Sequence, residues 1–329
     1  MCAQTTIEAM KKQSPLKCEI EWNILSLSEW NELFGKLPYS TLSQSYPYAR
    51  AYCALNHLNA RWGVIKIDGE IAGLMQVFEV SLLNKLFHSV MIDRGPLWFE
   101  GYDTPEVFEA FLKALRKIYP MRMGRKIRLI PEVPNDAQYI GVLNKFYRQV
   151  SPEGYQTVLI DLRKDLEELR AGFHSKWRNQ LRKAEKSDAT FLFDETGESF
   201  TRFLLGYKMD QHIKSYRNLP PRHVQRYFRM FAEAGDAFLG HIGSPEDPLA
   251  SALVFIHGNT ATWQIGWLSD EGRKICANHL LLYKVMTILK EKNITCFDLG
   301  GVNDRDASGI KHFKMGMGGT LVSSAGLYS

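Results

Sequence analysis

The strongest constraint on the fold of this chain is an order of periodic segments that occurs twice. In the first half, RWGVIKIDGEIAGLMQVFEV reads as two strands about an Asp68-Gly69 turn, and SVMIDRGPLWFE supplies a third strand. A helix then opens at Thr104-Pro105, with apolar residues at Val107, Phe108, Phe111, Leu112, Leu115 and Ile118, and KIRLIPEV returns as a strand. In the second half, AFLGHI, LASALVFIHG and ATWQIGWLS are three strands, parted by a turn at SPEDP and another at Gly258-Asn259. The helix NHLLLYKVMTILKEKN and the strand ITCFDL complete the unit. Strand, turn, strand, strand, helix, strand, written twice, implies a duplication that survives in pattern and hardly at all in residue identity. The expected fold class is α/β (α+β): a polar leader over residues 1–18, a first domain over 19–154 and a second over 155–329, each a mixed twisted sheet flanked by helices.

A chain of 329 residues, 45% of them hydrophobic, can bury two cores of ordinary size. Its formal charge of +5 favours phosphates or tRNA over acidic partners. Five scattered cysteines without a C-x-x-C give neither a disulfide framework nor a zinc site, and nine dispersed histidines lack metal-ligand spacing, so no metal is expected. The first residues have no apolar signal core, and no run approaches the roughly 20 apolar residues of a membrane span, which makes the cytoplasm the expected location. The absence of G-x-S-x-G, H-E-x-x-H, G-x-x-x-x-G-K-[ST] and G-x-G-x-x-G at a strand-helix junction removes the hydrolase, zinc protease and nucleotide-kinase readings.

Between the copies, YQTVLIDLRKDLEELRAGFHSKWRNQLRKAEK reads as a strand and then one long helix, with Leu166, Leu169, Phe173, Trp177 and Leu181 as its buried stripe. His174, Arg178, Arg182 and Lys186 stand four apart on an adjacent face, a row of cations suited to phosphates. A solvated basic face is the plainer alternative. Two further helices, parted around Leu219-Pro220-Pro221, carry Tyr207, Lys208, His212, Tyr216 and Arg217, which either line a substrate channel or cap a helix pair. Trp263 and Trp267 alternate on one face of their strand, either as one wall of an acceptor cleft or as core packing. Near the end, CFDLGGVNDRDASGIKHFKMGMGGT opens as a strand, breaks at Gly300-Gly301, and sets Phe313 and Lys314 beside glycines at 316, 318 and 319. Glycines let a backbone approach a ligand closely, and a Lys in a partly dry site can stabilise an oxyanion formed during acyl transfer. A surface Lys after a tight turn is the alternative reading of the spacing alone.

The DLGG, the GI that follows it and the FK-x-G-x-GG resemble the C-terminal signature of the Fem (FemABX) peptidyltransferases, two-domain relatives of the GNAT acyltransferases. K-W-R-N-Q-L-R-K-A over residues 176–184 resembles the family's basic helix. Gln44-Ser45, with Tyr48 where a Trp is more usual, and Arg94-Gly95-Pro96 resemble two further family steps. The resemblance implies two tandem GNAT-like domains and an aminoacyltransferase that moves an amino acid from aminoacyl-tRNA to an amine of a peptidoglycan-precursor peptide. Its partners would be the charged tRNA and a UDP-linked or lipid-linked muramyl peptide, with no cofactor. It implies Lys314 as the catalytic cation with Phe313 beside it; together with the readings above, Phe313, Arg178, Arg182, Lys176, Trp263, Trp267, Tyr216, Gly300 and Gly301 are the substrate-binding candidates. The junction before Ala277 reads DEGRKICANHLLL, with one glycine where a GNAT acetyltransferase has a Gly-rich loop for the CoA pyrophosphate. An N-acyltransferase using acyl-CoA or an acyl carrier protein, and a non-catalytic scaffold binding tRNA or protein, are the alternatives. The tRNA-binding helical arm of some family members is not evident.

Overall fold

A computed structural model describes residues 15–83, 86–215, 218–244, 246–302 and 308–329. Most of the expected polar leader, residues 1–14, and the candidates Tyr216 and Arg217 lie outside the described residues.

The first half runs β1 (Cys18–Trp22), α1 (Leu27–Gly35), α2 (Tyr46–Asn56), β2 (Asn59–Ile67), β3 (Glu70–Leu82), β4 (Phe87–Asp93), β5 (Leu97–Trp98), α3 (Pro105–Ile118), β6 (Arg125–Ile130), α4 (Ala137–Asn144) and β7 (Gln149–Ser151). The second half continues with β8 (Gln156–Asp161), α5 (Leu166–Gly172), α6 (Ser175–Glu185), β9 (Phe191–Asp194), α7 (Phe200–Lys214), α8 (Pro221–Glu233), β10 (Ala237–Gly243), β11 (Pro248–His257) and β12 (Thr260–Leu268). It ends with α9 (Asp270–Lys274), α10 (Ala277–Glu291), β13 (Cys296–Gly301), α11 (Ser308–Met315), β14 (Thr320–Ser323) and β15 (Leu327–Tyr328).

Local chemistry sets these bounds. Ser26 and Glu29 form a reciprocal capping box at the start of α1, and Thr104 caps α3 with Pro105 in its first turn. The turn between β2 and β3 places both Asp68 and Gly69 at positive φ, the two-residue hairpin geometry that an Asp-Gly pair adopts at low cost. The apolar face of α3 is buried as its spacing predicts, through Val107, Phe108, Phe111, Leu112 and Leu115. Each such side chain taken fully from water stabilises by roughly 1.5–3 kcal/mol.

The duplication is plain in the strand orders. The first sheet runs β1-β2-β3-β4-β6-β15-β7, with β5 beside β3, and the second runs β14-β8-β13-β12-β11-β10-β9. In each, four antiparallel strands end on a parallel pair, β4 with β6 and β12 with β13. The next place is taken in both sheets by a strand of the second half. The strand after β6, on the far side of the parallel pair, is the chain's last, β15, while β8, which directly follows β7, lies beside β13 in the second sheet. Two similar units are thereby laced together.

Packing reinforces the lacing. Tyr48 of α2 lies against Tyr227 of α8, ring centroids 4.9 Å apart, and Ala51 joins a core otherwise built from the second half. Buried Ser40 donates through its hydroxyl to the His257 carbonyl at 2.6 Å.

One sequence expectation changes. The single long helix over 166–186 is two helices, α5 and α6, broken at Phe173 and His174, which are extended. The His174 amide leaves the helical ladder and donates to the Gly316 carbonyl at 2.9 Å, so the tail of the chain takes over a bond the helix would have made.

Candidate active site

The site is built where two stretches distant in sequence touch. α6 and the glycine-rich tail lie against each other at the α5–α6 break. A Cβ at Gly316 would stand 2.8 Å from the Trp177 ring, and one at Gly318 would stand 2.3 Å from the Gly172 carbonyl. Gly318 is also at positive φ. These glycines act by permitting that approach of backbone to helix, rather than by exposing amides to a ligand. Phe313 fills the seam, its ring 6.1 Å from Trp177, 6.4 Å from Trp263 and 5.0 Å from His279.

Lys314, next on α11, is only 6% exposed. Its ammonium donates to the Gly300 and Gly301 carbonyls at 3.1 and 3.0 Å and lies 5.3 Å from the centre of the Trp263 ring. An ammonium has three N–H donors, so two acceptors leave one unused among the described residues. Burial lowers its pKa to about 8, against a smaller opposing pull from Asp298. The surface-Lys alternative is thus excluded.

The carbonyls are presented by the end of β13. Gly300 is at positive φ, and a Cβ there would be 2.9 Å from the Trp263 carbonyl, which makes glycine the residue that fits. Asp298 fixes this turn, accepting from the Gly300 amide at 2.8 Å and from the Thr157 hydroxyl. Beneath it lies a charge network that the sequence did not disclose. Arg94 is 3.5 Å from Asp298, holds Glu132 with a two-pronged contact at 3.0 and 2.9 Å, donates to the Tyr39 hydroxyl at 2.8 Å and stacks 4.1 Å over the Tyr155 ring. Burial and the neighbouring Glu132 and Asp298 carboxylates push the Tyr39 hydroxyl well above its usual pKa, although Arg94 pulls the other way. The resemblance pointed to Arg94-Gly95-Pro96, but nothing local said that its Arg spans the two halves.

The ladder between β12 and β13 is short. It pairs Thr260 with Cys296, Ala261 with Phe297 and Thr262 with Asp298, and β12 then runs on from Trp263 to Leu268 with no further partner on that side among the described residues. A bulge in β12 between Trp263 and Ile265 accompanies this parting. The bulge also corrects an expectation. Trp263 and Trp267 do not share a face: Trp263 packs with Phe313 and Trp177 on the α10 side, whereas Trp267 joins the α7–α8 core, because the extra residue reverses the alternation.

The basic face of α6 is only partly free. Arg178 turns back to the Ala171 and Phe173 carbonyls at the end of α5, so it closes the helix break. Lys176 and Arg182 are exposed, Arg182 with a contact to Asn179 at 3.3 Å. Tyr207 is buried and donates to the Leu219 carbonyl, which makes it a strut between α7 and α8. His279, missed in the sequence, stands at the start of α10 between Trp177 and Phe313, its pKa lowered to about 4 by burial. Its Nε2, the Trp177 Nε1 and the Asn278 Oδ1 are buried without hydrogen-bond partners among the described residues. No motif or spacing in the sequence marks them; only the packing of three elements brings them together.

Residues 171–315 match the family model described as Acetyltransferase (GNAT) domain, so the second half carries a domain of that acyltransferase type. The solved structure of FemX is similar over 94% of this chain and 96% of its own, with a TM-score of 0.77 and 18% identity. A conserved protein of unknown function from Bacteroides thetaiotaomicron is similar over 94% of this chain and 98% of its own, with a TM-score of 0.61 and 11% identity. No curated protein matches the sequence. At these identities the likenesses establish the fold: two GNAT-like units in the arrangement of FemX.

Proposed function

We propose that this chain transfers an aminoacyl group to an amine, with the Lys314 ammonium stabilising the oxyanion of the tetrahedral intermediate. The amine nitrogen attacks the activated carbonyl, the C–N bond forms, the C–O bond to the donor breaks, and the departing oxygen takes the proton. The observation that carries this reading is a buried cation with an N–H unused among the described residues, fixed at the end of the β12–β13 ladder. Burying an ammonium is costly, and one fixed where water is excluded is worth more to a developing negative charge than it would be in solution.

Aminoacyl-tRNA as donor is supported by the exposed Lys176 and Arg182 on α6, the helix packed against the tail that bears Lys314. The likeness of fold to FemX and the two sequence motifs support a peptidoglycan-precursor peptide as acceptor. A second reading, transfer from acyl-CoA with a C–S bond breaking instead, draws on the junction that leads from β12 to α10. There α9 and a left-handed Cys276 replace the glycine loop, which weighs against a pyrophosphate cradle.

A thermal-shift comparison with a UDP-muramyl pentapeptide, acetyl-CoA and a long-chain acyl-CoA separates the readings, because a ligand of the folded state raises Tm. A rise with the pentapeptide alone supports the first; a rise with either CoA puts the second in its place. In the matching assay, Lys314→Met lowers kcat about 10²–10³-fold with little change in donor KM. An unchanged kcat removes Lys314 from the mechanism.

A further inference from the structure

The first half exposes an apolar prow far from any role in the site. β3 and β4 end at this edge with Leu82 opposite Phe87, and the loop before β6 lies beside them. His88 donates its amide to the Gly124 carbonyl at 2.8 Å, and Arg122 donates to the Leu86 carbonyl at 3.1 Å. The loop and the strand ends therefore form one surface. On it, Leu83, Met121 and Met123 are 73%, 77% and 96% exposed, and Leu82, Leu86 and Phe87 are each more than half exposed. Single exposed apolar residues are ordinary, but a cluster of this kind marks a contact.

Charge says which contact. Residues 116–130 contain Arg116, Lys117, Arg122, Arg125, Lys126 and Arg128 and no Asp or Glu, and residues 80–92 contain no acid either. Arg116, Arg122, Arg125 and Lys126 line a shallow hollow together with Met121 and Met123. The Nε of Arg125 is buried there without a hydrogen-bond partner among the described residues, while its Nη1 donates to the Pro120 carbonyl at 2.9 Å, and burial and Arg122 disfavour its charge against smaller opposing pulls from Tyr119 and Glu79. The carboxylate of Glu79, on β3, is held by Arg61 and Tyr119 instead. An apolar tip ringed by cations suits an anionic lipid surface: apolar side chains enter the interface while guanidinium and ammonium groups meet phosphates.

We propose that this edge docks the protein on an anionic membrane surface, with Leu83, Met121, Met123 and Phe87 inserted at the headgroup level and Arg122, Arg125 and Lys126 on lipid phosphates. The inference is independent of the reaction assigned to Lys314.

Co-sedimentation of the full chain with phosphatidylcholine vesicles, alone or mixed with phosphatidylglycerol, tests it. The expected result is binding to the mixed vesicles that weakens as salt rises, and little binding to phosphatidylcholine alone. Leu83→Asp with Met123→Asp lowers the bound fraction at least tenfold, and Lys126→Glu lowers it severalfold, with thermal unfolding unchanged because these three side chains are exposed. Failure to bind either vesicle overturns the proposal. So does binding that survives the apolar changes, which is charge attraction alone, and so does a dimer in gel filtration that the Asp variant dissociates, which makes the edge a protein interface.

Discussion

Each half of the molecule has a place where a side chain stands in for a strand ladder, and the two are solved in opposite ways. In the first sheet, β3 and β4 pair only from Phe78 and Met91 outward, and the buried Gln44 amide bridges the rest. It accepts from the Gln76 amide at 2.6 Å and donates to the Gln76 and Asp93 carbonyls at 3.2 and 2.8 Å. Every polar atom is satisfied and the group is neutral. In the second sheet, Lys314 sits where β12 and β13 part, with one N–H unused among the described residues. The parallel pair of the first half, by contrast, stays bonded from His88 and Arg125 to Asp93 and Ile130. A parted ladder bridged by a satisfied neutral amide differs in kind from one beside a buried cation, and it is on the second that the proposed chemistry rests.

The comparison breaks most sharply at Arg94, the group that ties the two halves. Arg94→Met strands Glu132 and Asp298 without their cation and should cost about 3–5 kcal/mol in denaturant unfolding. A loss under 1 kcal/mol would mean that the halves hold together without this network. Next in size is the pH response of the second half. With the Lys314 pKa lowered to about 8, an ammonium acting on an oxyanion is lost as pH rises, so kcat should fall above about pH 8; a rate that rises there instead makes the amine a base. The stability sign is the reverse. Between about 8 and the ordinary lysine value of ~10.4, the unfolded chain binds more protons, so this residue's contribution to stability grows with pH in that window and vanishes in Lys314→Met. The smallest effect belongs to the first half. Gln44→Met, measured by thermal unfolding and by turnover of the folded protein, should cost about 1–3 kcal/mol of stability and leave kcat unchanged.

The legibility of the molecule follows the range of the interactions. The Asp68-Gly69 and Gly258-Asn259 turns, the cap at Thr104, the stripe of α3 and the repeated strand order are local matters of backbone freedom and period, and the structure has them where the residues put them. The break between α5 and α6 was illegible because Gly316 supplies the bond that ends the ladder, more than a hundred residues downstream. The facing of Trp263 and Trp267 was misread because a one-residue bulge reverses alternation without any change in composition. Arg178 reads as one more cation in a row, yet in space it closes a helix end. The reach of Arg94 shows only once the halves come together, and the place of His279 only once α6, α10 and α11 pack on one another.

By itself, then, the sequence determined two similar units, their strand order, and the presence of a Lys among glycines, since periodicity, turn chemistry and glycine placement act over a few residues. Tertiary structure alone decided that β15 crosses into the first sheet, that Lys314 is buried against β13 with its pKa depressed, and that Arg94 underlies it. Desolvation and charge pairing depend on which distant surfaces meet, and that is a property of the packed chain.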